Sequence, residues 1–388
     1  MKKYQFSIAA ICAGLLLVTA CKSVNNTVSK QSETTVPATQ MAIVQNGNGG
    51  ADILKLQKIP VLVPGANEVL IKVVAAGINP IERRFREGGG GRPAGGMGAP
   101  GDGMGPPPGG GMGGGMGRAP GGAGGPSVPG GDLSGIIVQI GDSVTNVKVG
   151  DAVFAKIPFG AGGLNGAYSQ YAVTTDDQVA PKPSDQTFAE AAGIATVAMT
   201  AMRTLDHAAV KAGDRVFING IGGGIGSSAA QIAMARGAYA LGTASVKHHD
   251  YLATIGIAEV INYREVLFDE VITELVDIAI ETVGTQTANQ ALNIIKPGGQ
   301  LVSIAGPASQ KLCDEKQVTC ARIGGNVGRT NKELLTEISQ LAEQGKFRLN
   351  VDTIFPLAEA GAAQDQNYNV GTTGKVILIV DEALADTK

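Results

Sequence analysis

The run Val216-Phe217-Ile218-Asn219-Gly220-Ile221-Gly222-Gly223-Gly224-Ile225-Gly226 constrains this chain more than any other stretch. An apolar strand passes directly into closely spaced glycines and then into an Ala-rich segment. Glycines at 220, 223 and 226 let the backbone turn tightly, approach phosphate oxygens and bring the next helix onto the sheet, while that helix's first N–H groups remain to bind an anion. A glycine string alone is weak, so its surroundings decide. Ala229, Ala230, Ala233 and Ala235 keep the helix slim, and Tyr239-Ala240-Leu241-Gly242-Thr243 reads as the second strand of a βαβ unit. The whole describes a dinucleotide site. Where an NAD site usually places Asp or Glu, this chain has Thr243-Ala244-Ser245-Val246-Lys247-His248. Hydroxyl and ammonium groups suit a 2′-phosphate and favour NADPH over NADH. The plainer alternative is a strand-to-helix loop with a Ser cap and a solvated Lys.

A length of 388 residues predicts about two domains, and 44% hydrophobic against 17% charged residues describes a globular chain with a sizeable core. A formal charge of -3, without basic or aromatic-basic clusters, gives no reason to expect nucleic acid. Trp is absent, so Val, Ile, Leu and Ala must fill the core. Lys2 and Lys3 precede the apolar run Ile8 to Ala20, which is too short for a spanning helix and suits a secretory leader. It ends Val18-Thr19-Ala20-Cys21, similar to a bacterial lipobox. Residues 1–20 are thus expected to be a lipoprotein signal, with Cys21 diacylated and the protein held at the cell envelope, periplasmic or outer-membrane, by its lipid. A plain secretory peptide is the alternative. Residues 21–40 read as a flexible tether. Cys313 and Cys320 remain, either as a disulfide closing a surface loop in an oxidising compartment or as two separate thiols.

Gly and Pro make up most of residues 88–131, with Met97, Met104, Met112 and Met116 interspersed. Such a segment cannot bury enough apolar surface to fold, and it is expected as a disordered insert within a domain. It is read as an inert or partner-contacting loop; the lesser alternative is that its thioethers bind a soft metal such as Cu(I). Around the insert, Glu68–Gly77, Gly135–Ile140, Asp151–Lys156 and Ala167–Val173 read as short strands of a β-rich domain. From about 184 the pattern changes. A helix over Phe188–Leu205 precedes the βαβ region, strands follow at Glu259–Tyr263, Val276–Glu281 and Gln300–Ala305, and a helix over Lys332–Gln344 and a strand over Lys375–Val380 close the chain. That alternation predicts a doubly wound parallel sheet in an α/β protein.

From about 41 to 381 the chain resembles the medium-chain dehydrogenase/reductase superfamily, in its zinc-independent quinone oxidoreductase branch. The resemblance rests on Ala75-Ala76-Gly77-Ile78-Asn79-Pro80, Val128-Pro129-Gly130-Gly131-Asp132-Leu133-Ser134-Gly135, Lys148-Val149-Gly150-Asp151, Lys211-Ala212-Gly213-Asp214, the glycine turn, Glu281-Thr282-Val283-Gly284, Lys296-Pro297-Gly298-Gly299 and Thr373-Gly374-Lys375-Val376. It implies a GroES-like domain over 41–183, a Rossmann NADP-binding domain over 184–325, and a return to the first domain over 326–388. Zinc members carry Cys and His where this chain has Asn79 and Gly131, so no catalytic metal is expected. Homodimers through the Rossmann sheet edge are common in that family and are admitted here.

Carried over residue by residue, the resemblance assigns Gly220, Gly223, Gly224, Ile225 and Gly226 to the pyrophosphate and Ser245, Lys247 and Tyr263 to the adenosine 2′-phosphate. Asn79 and Thr200 fall beside the nicotinamide, and Val283, Gly284 and Ala305 lie at strand ends facing it. Asn79 before Pro80 equally suits a turn, and Thr200 equally suits a bond to a helix carbonyl. The implied chemistry is hydride transfer from NADPH to a small-molecule quinone or enone, with no obvious general acid; the Tyr often found near Arg83, Arg84 and Phe85 is absent there. His207, His248 and His249 read as surface or capping residues. The alternative function is a non-catalytic, lipid-anchored envelope protein that uses the fold as a nucleotide platform and the insert for contact.

Overall fold

The computed structural model describes residues 36–88, 125–158, 163–323, 328–369 and 371–388. The expected signal with Cys21, and the insert's methionines, lie outside the described residues. Strands β1 (Thr39–Gln45) and β2 (Leu54–Pro60) form a hairpin ahead of β3 (Glu68–Gly77), α1 (Pro80–Arg86), β4 (Asp132–Ile140), β5 (Ala152–Lys156), β6 (Tyr171–Thr175) and β7 (Val179–Pro181). Helices α2 (Phe188–Ala192) and α3 (Ile194–His207) follow. Then come β8 (Arg215–Asn219), α4 (Gly224–Ala235), β9 (Tyr239–Ala244), α5 (His249–Thr254), β10 (Glu259–Asn262), α6 (Phe268–Val271), β11 (Val276–Glu281), α7 (Thr285–Ala291), β12 (Ile295–Ser303), α8 (Gln310–Lys316) and β13 (Thr319–Arg322). The chain closes with α9 (Asn331–Glu343), β14 (Val351–Pro356), α10 (Ala360–Asn369) and β15 (Lys375–Ile379).

Two sheets organise these elements. One is six-stranded, wholly parallel and ordered β10-β9-β8-β11-β12-β13, which is the doubly wound Rossmann order. Its strands bury both faces: in β8, Val216 and Ile218 join the core beneath α3 and α4, while Phe217 points to the opposite core and stacks on Phe268 at 4.8 Å. Burial on two sides explains why such strands are continuously apolar. The other sheet runs β14-β15-β3-β4-β5-β7, with β6 on β3, and its alternating residues close a separate core. This is the GroES-like domain. Both C-terminal strands join it, so the chain returns to the first domain after the Rossmann sheet.

Several expectations shift. Strand β1 begins at Thr39, inside the expected tether, and the β1–β2 hairpin has no counterpart in the strands read from the sequence. Residues 125–131 of the expected insert are built into the fold: Ser127 pairs with Gln45, and Val128 is buried. The strand expected over Ala167–Val173 is β6, starting at Tyr171, because Tyr168 is used as a buried polar partner instead. The helix expected over Phe188–Leu205 breaks at Gly193, where an added Cβ would lie 2.9 Å from the Lys375 side chain. The break lets β15 pass close to the start of α3.

Cys313 in α8 and Cys320 in β13 form a disulfide, which settles the choice left by the sequence. It staples a helix to the edge strand of the parallel sheet. With a sequence separation of 7 the closed loop is short, and loop-closure entropy gives a stabilisation of about 2 kcal/mol. Cys320→Ser should therefore lower the unfolding free energy by about that amount in urea titrations, and adding reductant should reproduce the loss in the parent but not in the variant.

Candidate active site

The order of strands reverses between β8 and β11, and ligands bind at the carboxyl ends of strands at such a switch point. There, Gly220 turns the chain with φ +80°, a conformation that side chains rarely adopt. Its N–H donates to Thr243 Oγ1 at 3.1 Å, and Thr243 donates in turn to Asn219 Oδ1. Asn219 Nδ2 donates to Glu281 Oε2 at 2.9 Å, and Glu281 Oε1 accepts the N–H groups of Val283 and Gly284 at 2.5 and 3.0 Å. One buried carboxyl thus locks the ends of β8, β9 and β11 together. Burial raises the Glu281 carboxyl above its ordinary value despite these hydrogen bonds.

The turn delivers α4 end-on to this switch point. An added Cβ at Gly226 would lie 2.2 Å from the Gly220 carbonyl oxygen, so only glycine allows the helix to start so close to the turn. Gly223 is different: its nearest neighbour would be 3.6 Å away, and Gly223, Gly224 and Ile225 stay partly open. Gly223 caps the helix without a side chain, so the first-turn N–H groups have no intrahelical partner. Around it, Val246, Tyr263 and Val283 are 61%, 51% and 40% exposed at the ends of β9, β10 and β11. Open N–H donors flanked by an apolar shelf fit the pyrophosphate and adenine of a dinucleotide.

The other predicted residues divide into two groups. Ser245 is buried after β9, and Lys247 is exposed with its ammonium donating to the Gly371 carbonyl. Tyr263 lies one residue past the Asn262–Ala244 pair, so β-sheet register brings it beside Ser245. Val283 and Gly284 sit at the turn, since an added Cβ at Gly220 would meet Val283 at 3.3 Å. Ala305, just beyond β12, adjoins Gly306, whose added Cβ would lie 2.7 Å from Thr285 N. His248 departs from expectation. It is only 9% exposed, lies under Gly222, and its Nδ1 pairs with Thr373 Oγ1 at 2.7 Å, so it braces the turn rather than facing solvent.

Asn79 and Thr200 join through residues to which the sequence assigned no role. Asp132, fully buried, accepts from Asn79 Nδ2 at 3.0 Å and from Thr196 Oγ1 at 2.5 Å, with Thr196 N at 3.2 Å. Thr200 Oγ1 donates to the Thr196 carbonyl at 2.7 Å. Lys375 Nζ donates to Asn79 Oδ1 at 2.8 Å, and its stem lies 3.3 Å from an added Cβ on Gly224, at the start of α4. Asn79 also begins α1: its N–H and that of Gly131 donate to Glu82 at 2.9 and 3.0 Å, and Tyr168 donates to the same carboxyl. Burial raises Glu82 and lowers Lys375 from their ordinary values. Asp132 and Lys375 stand within the Gly-Asp and Gly-Lys strings read above, which was the available signal. Among the described residues no group of three His, Cys, Asp or Glu is arranged to hold a metal ion.

The comparisons with known proteins agree with this arrangement. Residues 65–184 match the family described as alcohol dehydrogenase GroES-like domain, and residues 255–378 match that described as zinc-binding dehydrogenase. Quinone oxidoreductase of Mus musculus is 30% identical over 349 residues, which is 86% of this chain and 95% of that protein. NADPH-dependent alkenal/one oxidoreductase of Arabidopsis thaliana is 25% identical over 378 residues, covering 94% of this chain and 86% of the relative. The structure of the quinone oxidoreductase from Coxiella burnetii superposes with a TM-score of 0.72 at 28% identity, over 88% of this chain and 99% of its own. The chain belongs to the medium-chain dehydrogenase/reductase superfamily, as a quinone oxidoreductase-like member. It is a pyridine-nucleotide-dependent oxidoreductase, and the non-catalytic alternative falls away.

The different surroundings of two glycines give a direct check. Gly226→Ala should destabilise the fold by about 1–3 kcal/mol through overpacking. Gly223→Ala should keep the thermal midpoint close to that of the parent yet weaken nucleotide binding in calorimetry, because the added methyl group would face the open N–H cradle.

Proposed function

We propose that this protein reduces a quinone or an α,β-unsaturated carbonyl compound with NADPH, without a catalytic metal. The observation that carries this reading is the largely buried network joining the glycine cradle to Asn79 and, through Lys375, Asp132 and the half-buried Thr196, to Thr200. Gly220, Gly223, Gly224, Ile225 and Gly226 would hold the pyrophosphate, and Ser245, Lys247 and Tyr263 the 2′-phosphate end. Asn79 and Thr200, with Val283, Gly284 and Ala305, would border the nicotinamide. The bound nucleotide supplies a hydride to an electrophilic carbon. This chain's residues orient the partners: Asn79 is held at both ends of its amide, by Asp132 and Lys375, so its position is preset. The substrate class follows the names of the mouse and Arabidopsis relatives.

From the lipobox-like Val18-Thr19-Ala20-Cys21 we further propose that the protein is lipid-anchored at the cell envelope through Cys21, and a homodimer through the edge of the parallel sheet is admitted. The disulfide between Cys313 and Cys320 supports an oxidising compartment, where such bonds persist. No described helix is long and apolar enough to cross a membrane.

Calorimetry on the full chain in detergent should show NADPH binding tighter than NADH, and NADPH oxidation should follow on adding quinones or enones. Absence of binding to either nucleotide ends this reading. Lys247→Ala should cost about 10- to 100-fold in NADPH affinity, the worth of one charge-assisted hydrogen bond, and leave NADH affinity nearly unchanged. An equal loss for both nucleotides removes Lys247 from the 2′-phosphate.

A further inference from the structure

Helix α3 is buried along most of its length, but Thr196, Thr200 and Arg203 form a half-buried stripe at spacings of four and three. Lys156, the last residue of β5, reaches that stripe. Cross-strand pairing with Asp132 sets its direction, its Nζ donates to Thr196 Oγ1 at 2.7 Å, and its side chain keeps 14% exposure. Asp132 Oδ1 stands 3.8 Å from that ammonium and already accepts from the Thr196 hydroxyl, while Oδ2 accepts from Asn79, so Lys156 and Asp132 are charge neighbours rather than hydrogen-bonded partners. Thr200 lies one helical turn beyond Thr196 and bonds to its carbonyl. A cation therefore stands beside Thr196 and Asp132, the two residues that connect Thr200 and Asn79, which are read above as bordering the nicotinamide.

We propose that Lys156 is a catalytic residue: its ammonium hydrogen-bonds the carbonyl oxygen of the bound enone or quinone and delivers the proton that completes reduction. The inference rests on the reductase reading. When an enone's β-carbon gains a hydride, that electron pair forms the new C–H bond, the C=C pair shifts to make an enolate, and the C=O pair collects on oxygen. A Lys156 N–H bond then breaks as the O–H bond forms. The neutral lysine regains a proton from water, and the enol tautomerises to the ketone. With a quinone, the same proton goes to the hydroquinone anion.

The charges around Lys156 suit this task. Burial pulls the ammonium below the ordinary lysine value; Asp132 of β4 and Glu82 of α1 act against that, and Arg203 of α3 adds to it. Lys375 of β15 is a further charged group facing it. A lysine lowered toward working pH is a more effective acid, and an ammonium aimed at a developing oxyanion stabilises it in a site of low dielectric.

Lys156→Met in the full chain should lower kcat by about 100-fold or more, the usual worth of a general acid, with NADPH affinity kept within about twofold. Lys156→Arg retains charge but cannot release a proton, so it should keep part of kcat and lose the alkaline limb of the pH profile. A second readout needs no nucleotide. 4-Nitrophenol, an oxyanion mimic, should bind the parent and Lys156→Arg as the yellow phenolate at a pH where it is neutral in water, and bind Lys156→Met as the phenol. Parental kcat in Lys156→Met, or an unchanged probe spectrum, overturns the assignment. Should Lys156→Met fail to fold, the Lys156→Arg profile and the probe spectrum of the parent decide. A parent that binds the phenolate but no nucleotide overturns the reductase reading instead, which keeps the two failures distinct.

Discussion

Asp132 is the constraint on which the active-site half of this molecule depends. A carboxylate with no exposed surface is costly unless its lone pairs find donors, and here the donors come from two separate elements and a neighbouring charge from a third. Asn79 arrives from the start of α1, the Thr196 hydroxyl and N–H from α3, and the Lys156 charge from β5. Satisfying that one group therefore fixes how the β-rich domain meets the helix that covers the parallel sheet. The geometry at Asn79 and Thr200 is a consequence.

The glycine turn is stabilised in a comparable way from the opposite side. Glu281 ties the strand ends beneath it, while the segment leading into β15 lies across its top: Gly374 N donates to the Gly222 carbonyl, and Thr373 pairs with His248. Lys247 extends to the Gly371 carbonyl of the same segment. The residues that would meet the adenosine end thus share a support with Lys375, which reaches Asn79 at the reacting end. The cradle and the reacting end are mechanically continuous, through one short stretch of the returning chain.

Much of this was legible in the residues. The parallel sheet followed from apolar runs alternating with helical periods, and β3 and β11 occur over the residues expected, because both are bounded by turn residues and filled with Val, Ile and Ala. The glycine turn itself was legible because a strand-turn-helix is local, whereas Val283 and Gly284 reach it through the pairing of β11 with β8. The β1–β2 hairpin was missed because its strands carry Gln and Lys among their apolar residues and give no clear alternation. The break at Gly193 was missed because its cause is Lys375, almost 200 positions away in the chain.

Sequence alone determined the fold class, the glycine turn and that positions 79 and 131 carry Asn and Gly, because each depends on short-range spacing or on the identity of one side chain. Tertiary structure decided which buried charges meet. Asp132 with Lys156, Lys375 with Asn79, His248 under Gly222 and Cys313 with Cys320 are set by strand pairing and helix packing, and the first two pairs come from segments that no local periodicity links. A buried polar group must be satisfied wherever the fold carries it, and only the folded chain shows by whom.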